Sequence, residues 1–242
     1  MKDTIKLKDK KGVLMIAHRG VSGLEAENTA AAFVAAGNRT YYGVETDVHR
    51  TADGKFVCLH DEDIFRVSGV HCNVGEVDYE KVASIRQHKT ESDFGPRADY
   101  VAPQLEDYVS ICHAYGKHCI LELKDEFTVE ELKQIISILQ SIGHLQDTTF
   151  ISFLPQNLIR MRELLPEQSI QLLTEKITDE IIEGAIKYKI DLDVVFFVLD
   201  EEIVKKIKSH GIKLNTFTIN DPEIAQKLID MGVDFITTNI LE

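Results

Sequence analysis

The stretch VLMIAHRGVSGLEAENTAAAFVAAGNRTYYGVETDV, residues 13–48, decides the fold class. Its apolar run Val13–Ala17 predicts a buried strand, and the Ala-rich run Thr29–Ala36 predicts a helix that ends at Gly37. A second strand is predicted at Gly43–Val48. Because a helix joins the two strands, we expect them to lie parallel in one sheet.

The same alternation continues along the 242-residue chain. The turn sequence TADG at residues 51–54 precedes an extra strand, Lys55–His60. Further strands are predicted at His118–Leu123, Thr148–Phe153, Ile170–Leu173, Val194–Val198, Lys213–Ile219 and Phe235–Thr238. Helices are predicted between them, at Leu105–Ala114, Glu130–Ser141, 155–165, Thr178–Lys187, Glu201–Ser209 and Asp221–Met231. This α/β pattern favours a closed (β/α)8 TIM barrel over the alternative, an open doubly wound sheet.

The chain contains no Pro-, Ser- or Gly-rich linker, so residues 1–242 are predicted to form one barrel domain. An irregular stretch, Glu62–Pro103, follows the second strand and its hairpin return as a loop or insertion. It is polar and rich in turn residues. Long loops of this kind in compact domains often carry function.

The charge and the apolar pattern exclude several classes of partner. A formal net charge of −13 argues against nucleic acid and against an anionic membrane surface. A small anionic substrate remains compatible, because a bound divalent cation can reverse the field inside one pocket. The N-terminal run MKDTIKLKDKKG has no apolar signal core, and no apolar run is long enough to cross a bilayer. We therefore predict a cytoplasmic protein without a transmembrane segment.

Acidic side chains on two predicted strands are candidates for a metal site. Glu45 and Asp47 are two residues apart in a strand, so both point to the same side of it. Glu122, at the end of the next barrel strand, is a natural third ligand. Carboxylates are the ligands that a hard divalent cation prefers. The alternative is that these side chains face solvent or pair with Lys and Arg.

Two histidines and two cations lie at the same predicted rim. His18 and His60 each follow an apolar strand, and histidine serves as general acid or base near neutral pH. Arg19 and Lys124 could neutralise phosphoryl oxygens. A histidine at a strand end can also be purely structural, but two of them beside three carboxylates favour acid–base chemistry.

Six segments of the chain resemble the glycerophosphodiester phosphodiesterase family. The first two are IAHRGVSGLEAENTAAAF, residues 16–33, and GVETDVHRTADGKFVCLHDEDIFR, residues 43–66. The later ones are VAPQLEDYV at 101–109, CILELK at 119–124, HGIKLNTFTIN at 210–220 and MGVDFITTN at 231–239. The resemblance covers essentially the whole chain, from Val13 to Asn239, and the order of the segments is highly specific.

The resemblance implies a metal-dependent enzyme that hydrolyses glycerophosphodiesters to glycerol 3-phosphate and an alcohol, in glycerol and lipid metabolism. It implies that His18 and His60 are the catalytic acid–base pair and that Glu45, Asp47 and Glu122 bind Mg2+ or Ca2+. It further implies substrate or phosphate contacts for Arg19, Lys124, Glu27 and Phe217. The implied partner is a small molecule, and a homodimer is one of the assembly states left open.

The sequence departs from the family pattern at three positions. Ala26 replaces a proline, Phe217 replaces a tryptophan, and Asn239 replaces the closing aspartate. These changes concern the pocket wall, and thus substrate choice, more than catalysis. Asn28 matches the family's E-N pair, but its position also suits a helix N-cap.

Two rival functions share these features. A phospholipase D-like barrel acting on lysophospholipids would have the same histidines and carboxylates, but it would need an apolar entry surface, and the Glu62–Pro103 stretch is polar. A non-catalytic binding barrel would be expected to lack a histidine or a metal ligand. All five of these residues are present, which favours an enzyme.

Overall fold

The computed structural model describes residues 3–89 and 97–242, which form a closed barrel of parallel strands surrounded by helices. The barrel strands follow one another in the ring as β1, β2, β4, β5, β6, β7, β8 and β9, and β9 pairs with β1 to close it, while β3 pairs antiparallel with β2. The predicted (β/α)8 barrel is confirmed. The strands are β1 (Leu14–Ala17), β2 (Gly43–Arg50), β3 (Phe56–Cys58), β4 (His118–Leu123), β5 (Thr148–Ser152), β6 (Ser169–Thr174), β7 (Asp191–Val195), β8 (Leu214–Phe217) and β9 (Phe235–Thr238).

The helices begin and end where local signals in the sequence place them. At the start of α5, Thr128 accepts a hydrogen bond from the backbone N–H of Glu131, whose side chain accepts one from the backbone of Thr128 in return. Within the described ranges, no helix is both long and apolar enough to span a bilayer. The helices are α1 (Ala30–Gly37), α2 (Phe65–Ser68), α3 (Tyr79–Ala83), α4 (Leu105–Tyr115), α5 (Val129–Ile142), α6 (Pro155–Leu164), α7 (Asp179–Tyr188), α8 (Glu201–Ser209) and α9 (Pro222–Met231).

Alternation along the strands determines which side chains enter the barrel. In β2, Val44 and Val48 belong to the apolar core between the sheet and the helices. Because successive side chains point to opposite sides of a strand, Glu45 and Asp47 face the interior. Barrel enzymes use the rim at the carboxyl ends of the strands. Asp47 lies in the carboxyl-terminal half of β2, and Glu45 lies two residues before it.

Strand β7 differs from the prediction. We expected a strand at Val194–Val198, but the strand is Asp191–Val195 and Phe196–Val198 forms a 3-10 turn. Valine and phenylalanine have high strand propensity, whereas aspartate has low propensity. Pairing with β6, where Gln171 lies opposite Asp191, outweighs that preference and begins the strand three residues earlier.

The insertion is more ordered than the expected irregular loop. Its described part contains α2, α3 and a 3-10 turn, Val74–Glu76. Val67 and other apolar residues of the insertion pack with β3 into a separate small cluster, whereas Phe65 and Val70 are each 46% exposed. Residues 90–96, with Phe94, lie outside the described ranges. The cluster consists of Val57, Leu59, Ile64, Val67, Cys72, Val74, Val82, Ile85 and Ala102.

Candidate active site

Three carboxylates meet inside the barrel near its rim. Each of Glu45, Asp47 and Glu122 offers an oxygen, and these oxygens lie within 4.8 Å of one another. Pairing of β2 with β4 places Asp47 opposite Glu122. All three residues are buried. The three predicted metal ligands therefore lie together. This agrees with the prediction made from the two-residue spacing of Glu45 and Asp47 and from the position of Glu122 at the end of the next barrel strand.

The pKa values of these carboxylates diverge because they share one buried site. Burial and the charge of Asp47 raise the pKa of Glu122 to about 8, and the same two causes raise the pKa of Glu45. Burial opposes ionisation of Asp47 as well, but Arg19, His60 and Lys124 lower its pKa below the usual value. Three carboxylates at this separation cannot all carry charge at low cost without a further cation.

The donor set fits a divalent cation. Among the described residues, Asp47 Oδ1 has no hydrogen-bond partner, although Lys124 Nζ lies 3.5 Å away in an ion pair. Lys124 Nζ also lies 2.9 Å from Glu122 Oε1. A buried carboxylate oxygen without a donor, beside two carboxylates with raised pKa values, is the environment that Mg2+ or Ca2+ stabilises.

Asn28 supports the carboxylates and is not the helix cap. Its Nδ2 donates to Asp47 Oδ2 at 2.8 Å, and its Oδ1 accepts from Thr46 Oγ1 at 2.7 Å. The N-cap of α1 is Thr29, whose side chain accepts from the backbone of Ala32. The N-cap role suggested for Asn28 is therefore wrong, and its side chain instead contacts Asp47.

Arg19 joins the carboxylate cluster to the outer rim. Its backbone N–H donates to Glu45 Oε2 at 2.7 Å, its Nε lies 3.4 Å from Asp47 Oδ2, and its Nη1 donates to Glu27 Oε1 at 2.7 Å. The residue has φ of +53°, in the left-handed region that non-glycine residues rarely adopt. Arg66, from the insertion, also pairs with Glu27.

His18 is held by an amide. Its Nδ1 lies 2.7 Å from Asn239 Oδ1, and the Ser22 hydroxyl lies 2.9 Å from the same oxygen. An amide oxygen only accepts, so Nδ1 carries the hydrogen and Nε2 has the lone pair. Burial, and then the charge of Arg19, lowers the pKa of His18 to about 4. His18 is therefore a neutral imidazole near pH 7.

His60 is held by a carboxylate instead. Its Nδ1 lies 2.7 Å from Asp61 Oδ1, and Asp61 is also bonded to Arg66. Burial lowers the pKa of His60, while Asp47 and Asp61 act in the opposite direction. The His60 carbonyl accepts from His49 Nε2 at 3.1 Å, which fixes the backbone at this position.

A cavity of about 160 Å³ opens between these groups. It is lined by His18, Arg19, Glu45, His60 and Glu122, with an apolar wall that includes Phe153 and Phe217. The two phenylalanine rings meet edge to face, with centroids 6.1 Å apart. A second cavity of about 200 Å³ shares His18 and Arg19 with the first and is also lined by Asn239, Glu25 and Glu27.

The sequence profile of the glycerophosphoryl diester phosphodiesterase family matches residues 18–242. The chain belongs to this family. The predicted family and enzyme class are thereby confirmed. Every residue of the site described above lies within the matched range.

Relatives in this phosphodiesterase family match nearly the full chain. A glycerophosphodiester phosphodiesterase of Bacillus subtilis is 28% identical and covers 94% of this chain and 83% of its own length. One from Caldanaerobacter subterraneus is 27% identical and covers 93% of each chain. A solved phosphodiesterase of Oleispira antarctica, in complex with the product sn-glycerol-3-phosphate, is 28% identical, with a TM-score of 0.84 over 93% of this chain and 92% of its own.

Three residues at this phosphodiesterase site escaped the sequence interpretation. Arg66 was not considered because it lies in the insertion, and only its carboxylate partners in space reveal it. Asn239 was noted as a departure, but not as the partner of His18. Asp193, which lies in the wall of the central cavity, was hidden because the strand carrying it was placed three residues too late.

Proposed function

We propose that this protein hydrolyses glycerophosphodiesters to glycerol 3-phosphate and an alcohol, with Mg2+ or Ca2+ as cofactor. The observation that carries the proposal is the shared cavity. His18, His60 and Arg19 line the same space as Glu45 and Glu122, and family membership supplies the reaction class. A phosphodiester placed there would meet a cation, a base and an acid at one point.

In this proposal Glu45, Asp47 and Glu122 hold the divalent cation. Bound there, the cation supplies a Lewis acid for a non-bridging phosphoryl oxygen. Asn28 and the backbone N–H of Arg19 orient two of the ligands, each through one hydrogen bond. The Arg19 guanidinium shares the phosphoryl charge, and Glu27 holds it in position.

Lys124 is proposed as a second phosphate contact. Its Nζ pairs with Glu122 and lies near Asp47, and both carboxylates raise the pKa of Lys124 although burial opposes this. Lys124 therefore keeps its charge beside the cavity. A cation held by the carboxylates would weaken their attraction for Lys124, which would leave its ammonium group available to a phosphoryl oxygen.

The two histidines are assigned different tasks. His18 is neutral, with its Nε2 lone pair set by Asn239, so it takes the proton from the nucleophile. His60 faces the Asp61 carboxylate, which stabilises an imidazolium, so it protonates the departing alcohol. The nucleophile is water or the glycerol 2-hydroxyl, and detection of a cyclic phosphate by 31P NMR would distinguish the two.

The function is tested with a panel of glycerophosphodiesters after chelation and readdition of Mg2+, Ca2+ or Mn2+. Hydrolysis should vanish in EDTA and return with metal. His18→Ala should lower kcat by at least about 10²-fold, since general acid–base catalysis contributes that much. The exposed His71 provides a matched control, His71→Ala, with unchanged turnover. Metal-independent hydrolysis, or a His18→Ala variant as fast as the parent, would refute the mechanism.

One observation favours the lysophospholipid alternative. The loops after β5 and β7 expose apolar side chains at the rim, namely Phe153, Leu154 and Phe197, and Phe197 is 70% exposed. These side chains lie outside the polar Glu62–Pro103 stretch. Turnover of glycerophosphocholine and of lysophosphatidylcholine above its micellar concentration should be compared. We expect the glycerophosphodiester to be preferred, and a preference for the lipid would favour the alternative.

The cellular context follows from the proposed reaction. We propose that residues 1–242 form a single domain. We further propose that the protein acts in the cytoplasm, in glycerol and lipid metabolism, where its product glycerol 3-phosphate joins the pool of phosphate esters. A homodimer is proposed as one assembly state. Light scattering coupled to gel filtration, with the measured mass compared with the 27.4 kDa chain, decides between monomer and dimer.

A further inference from the structure

Asp193 is a buried carboxylate at the central cavity that the proposed mechanism does not use. It lies on β7, is 1% exposed, and its side chain forms part of the cavity wall with Thr237 and Leu173. Its neighbours on β7, Leu192 and Val194, pack outward in the apolar core, so Asp193 points into the barrel.

One oxygen of this carboxylate is anchored and the other is not. Asp193 Oδ2 accepts from Asn215 Nδ2 at 2.9 Å. Asn215 Nδ2 in turn lies 3.4 Å from Gln171 Oε1 and 3.2 Å from Thr237 Oγ1. Within the described ranges of the chain, Asp193 Oδ1 has no hydrogen-bond partner. The network thus fixes Asp193 while leaving one acidic oxygen unsatisfied at a cavity.

A structural role does not explain this arrangement. Buried polar atoms in folded proteins are almost always hydrogen-bonded, and an exception calls for a ligand or a functional reason. Asp193 lies outside the group of carboxylates whose oxygens come within 4.8 Å of one another, so it is not a member of the metal cluster. Burial, and to a lesser extent the charge of Glu122, raises the pKa of Asp193, as expected for a buried acid.

We propose that Asp193 is a specificity-determining residue that hydrogen-bonds a hydroxyl of the substrate's glycerol group. The inference rests on the proposed function and deepens it by assigning the polyol end of the substrate to the central cavity. The central cavity is the one of about 160 Å³ that is lined by both histidines and the apolar wall. Its volume suits a three-carbon polyol phosphate.

The chemistry of Asp193 selects a hydroxyl over other groups. A hydroxyl both donates and accepts, so it satisfies Oδ1 whether the carboxyl group is ionised or protonated. A phosphoryl oxygen would be repelled by the carboxylate, and an alkyl group would leave Oδ1 buried without a partner. Sites that hydrogen-bond a substrate hydroxyl discriminate strongly against analogues that lack it.

The test compares the binding of two phosphate monoesters that differ only in their hydroxyls. The dissociation constants of sn-glycerol 3-phosphate and n-propyl phosphate are measured by calorimetry with Mg2+ present. The parent protein should prefer glycerol 3-phosphate, and Asp193→Ala should reduce that preference by about 10- to 100-fold. The control is Asp191→Ala, on the same strand and the same side but outside the cavity wall, and it should keep the preference.

The outcomes separate this inference from the proposed function. If the parent does not hydrolyse glycerophosphodiesters, the proposed function fails. If it does, but Asp193→Ala keeps the parent's preference for glycerol 3-phosphate, the assignment of Asp193 is overturned. Asn215 keeps Gln171 and Thr237 as partners, so Asp193→Ala is expected to fold. Asp193→Val, which suits a strand, gives the same measurement if Asp193→Ala does not fold, and an unchanged preference there also overturns the assignment.

Discussion

At the scale of the residue, the two histidines differ in the group that contacts their Nδ1 atoms. Asn239 presents an amide oxygen to His18, while Asp61 presents a carboxylate to His60. A carboxylate stabilises a charged imidazole and an amide does so much less, which supports the proposed division of the pair into a base and an acid. The sequence placed both histidines at the rim, but the division depends on partners that only the folded chain brings together.

Asn239→Asp should change the pH dependence in a defined direction. A carboxylate at 2.7 Å from Nδ1 favours protonated His18, so the pKa of His18 rises from about 4. Because the mechanism needs neutral His18, the acidic limb of the kcat/KM profile should move to higher pH by about one unit or more. The exposed Asn38→Asp serves as control, and an unmoved limb in Asn239→Asp would contradict the role of His18 as base.

Removing the Asn28 side chain should weaken metal binding. Asn28 has φ of +50°, so glycine is the substitution that keeps the backbone relaxed. Asn28→Gly loses the hydrogen bond to Asp47 and should raise the metal dissociation constant by roughly 10- to 100-fold, as is usual for groups that orient a ligand. Calorimetric titration with Mg2+ measures this, and Asn38→Gly should bind metal as the parent does.

At the scale of the element, β7 shows where propensity is outweighed. Aspartates occupy its first and third positions, and the valine-phenylalanine run after them predicts a later strand. The pairing partner β6 determines the actual register, with Leu172 opposite Leu192 and Thr174 opposite Val194. Since a barrel strand must match both neighbours, this long-range pairing decides which side chains reach the cavity.

The N-terminus of α5 allows a test of helix stability away from the site. Thr128→Ala removes the reciprocal cap with Glu131 and should lower the free energy of unfolding by about 1 kcal/mol, with kcat unchanged. Urea denaturation measures it. Ser141→Ala, near the other end of the same helix, should have a smaller effect, and equal losses in the two variants would argue against the cap.

At the scale of the whole molecule, the buried carboxylates link stability to pH and metal. The pKa of Glu122 is raised in the folded state from 4.5 to about 8, so the folded protein favours its protonated form. For an acid with a raised pKa, the contribution to stability is complete below pH 4.5 and is lost as pH rises through about 8. A cation bound by the carboxylates would remove this loss.

We therefore expect the Tm of the metal-free protein to fall as the pH rises from about 6.5 to about 8, above the range in which the lowered pKa of His18 contributes in the opposite direction. Mg2+ or Ca2+ should raise Tm more at the higher pH, because the ligands must be ionised to bind. Differential scanning calorimetry with and without EDTA measures both effects. Glu122→Gln should flatten the pH dependence, and a metal-free Tm that rises over this range would be inconsistent with the carboxylate cluster.

The sequence by itself determined the barrel and most of the site. Alternating strands and helices are a local pattern, and the strand-end positions of His18 and Glu122 follow from it. Only the tertiary structure decided which polar atoms have partners. His18 and Asn239 are 221 positions apart and meet because β9 closes the ring against β1. The unpartnered oxygen of Asp193 is likewise a property of packing, since hydrogen-bond satisfaction depends on neighbours that spacing along the chain does not specify.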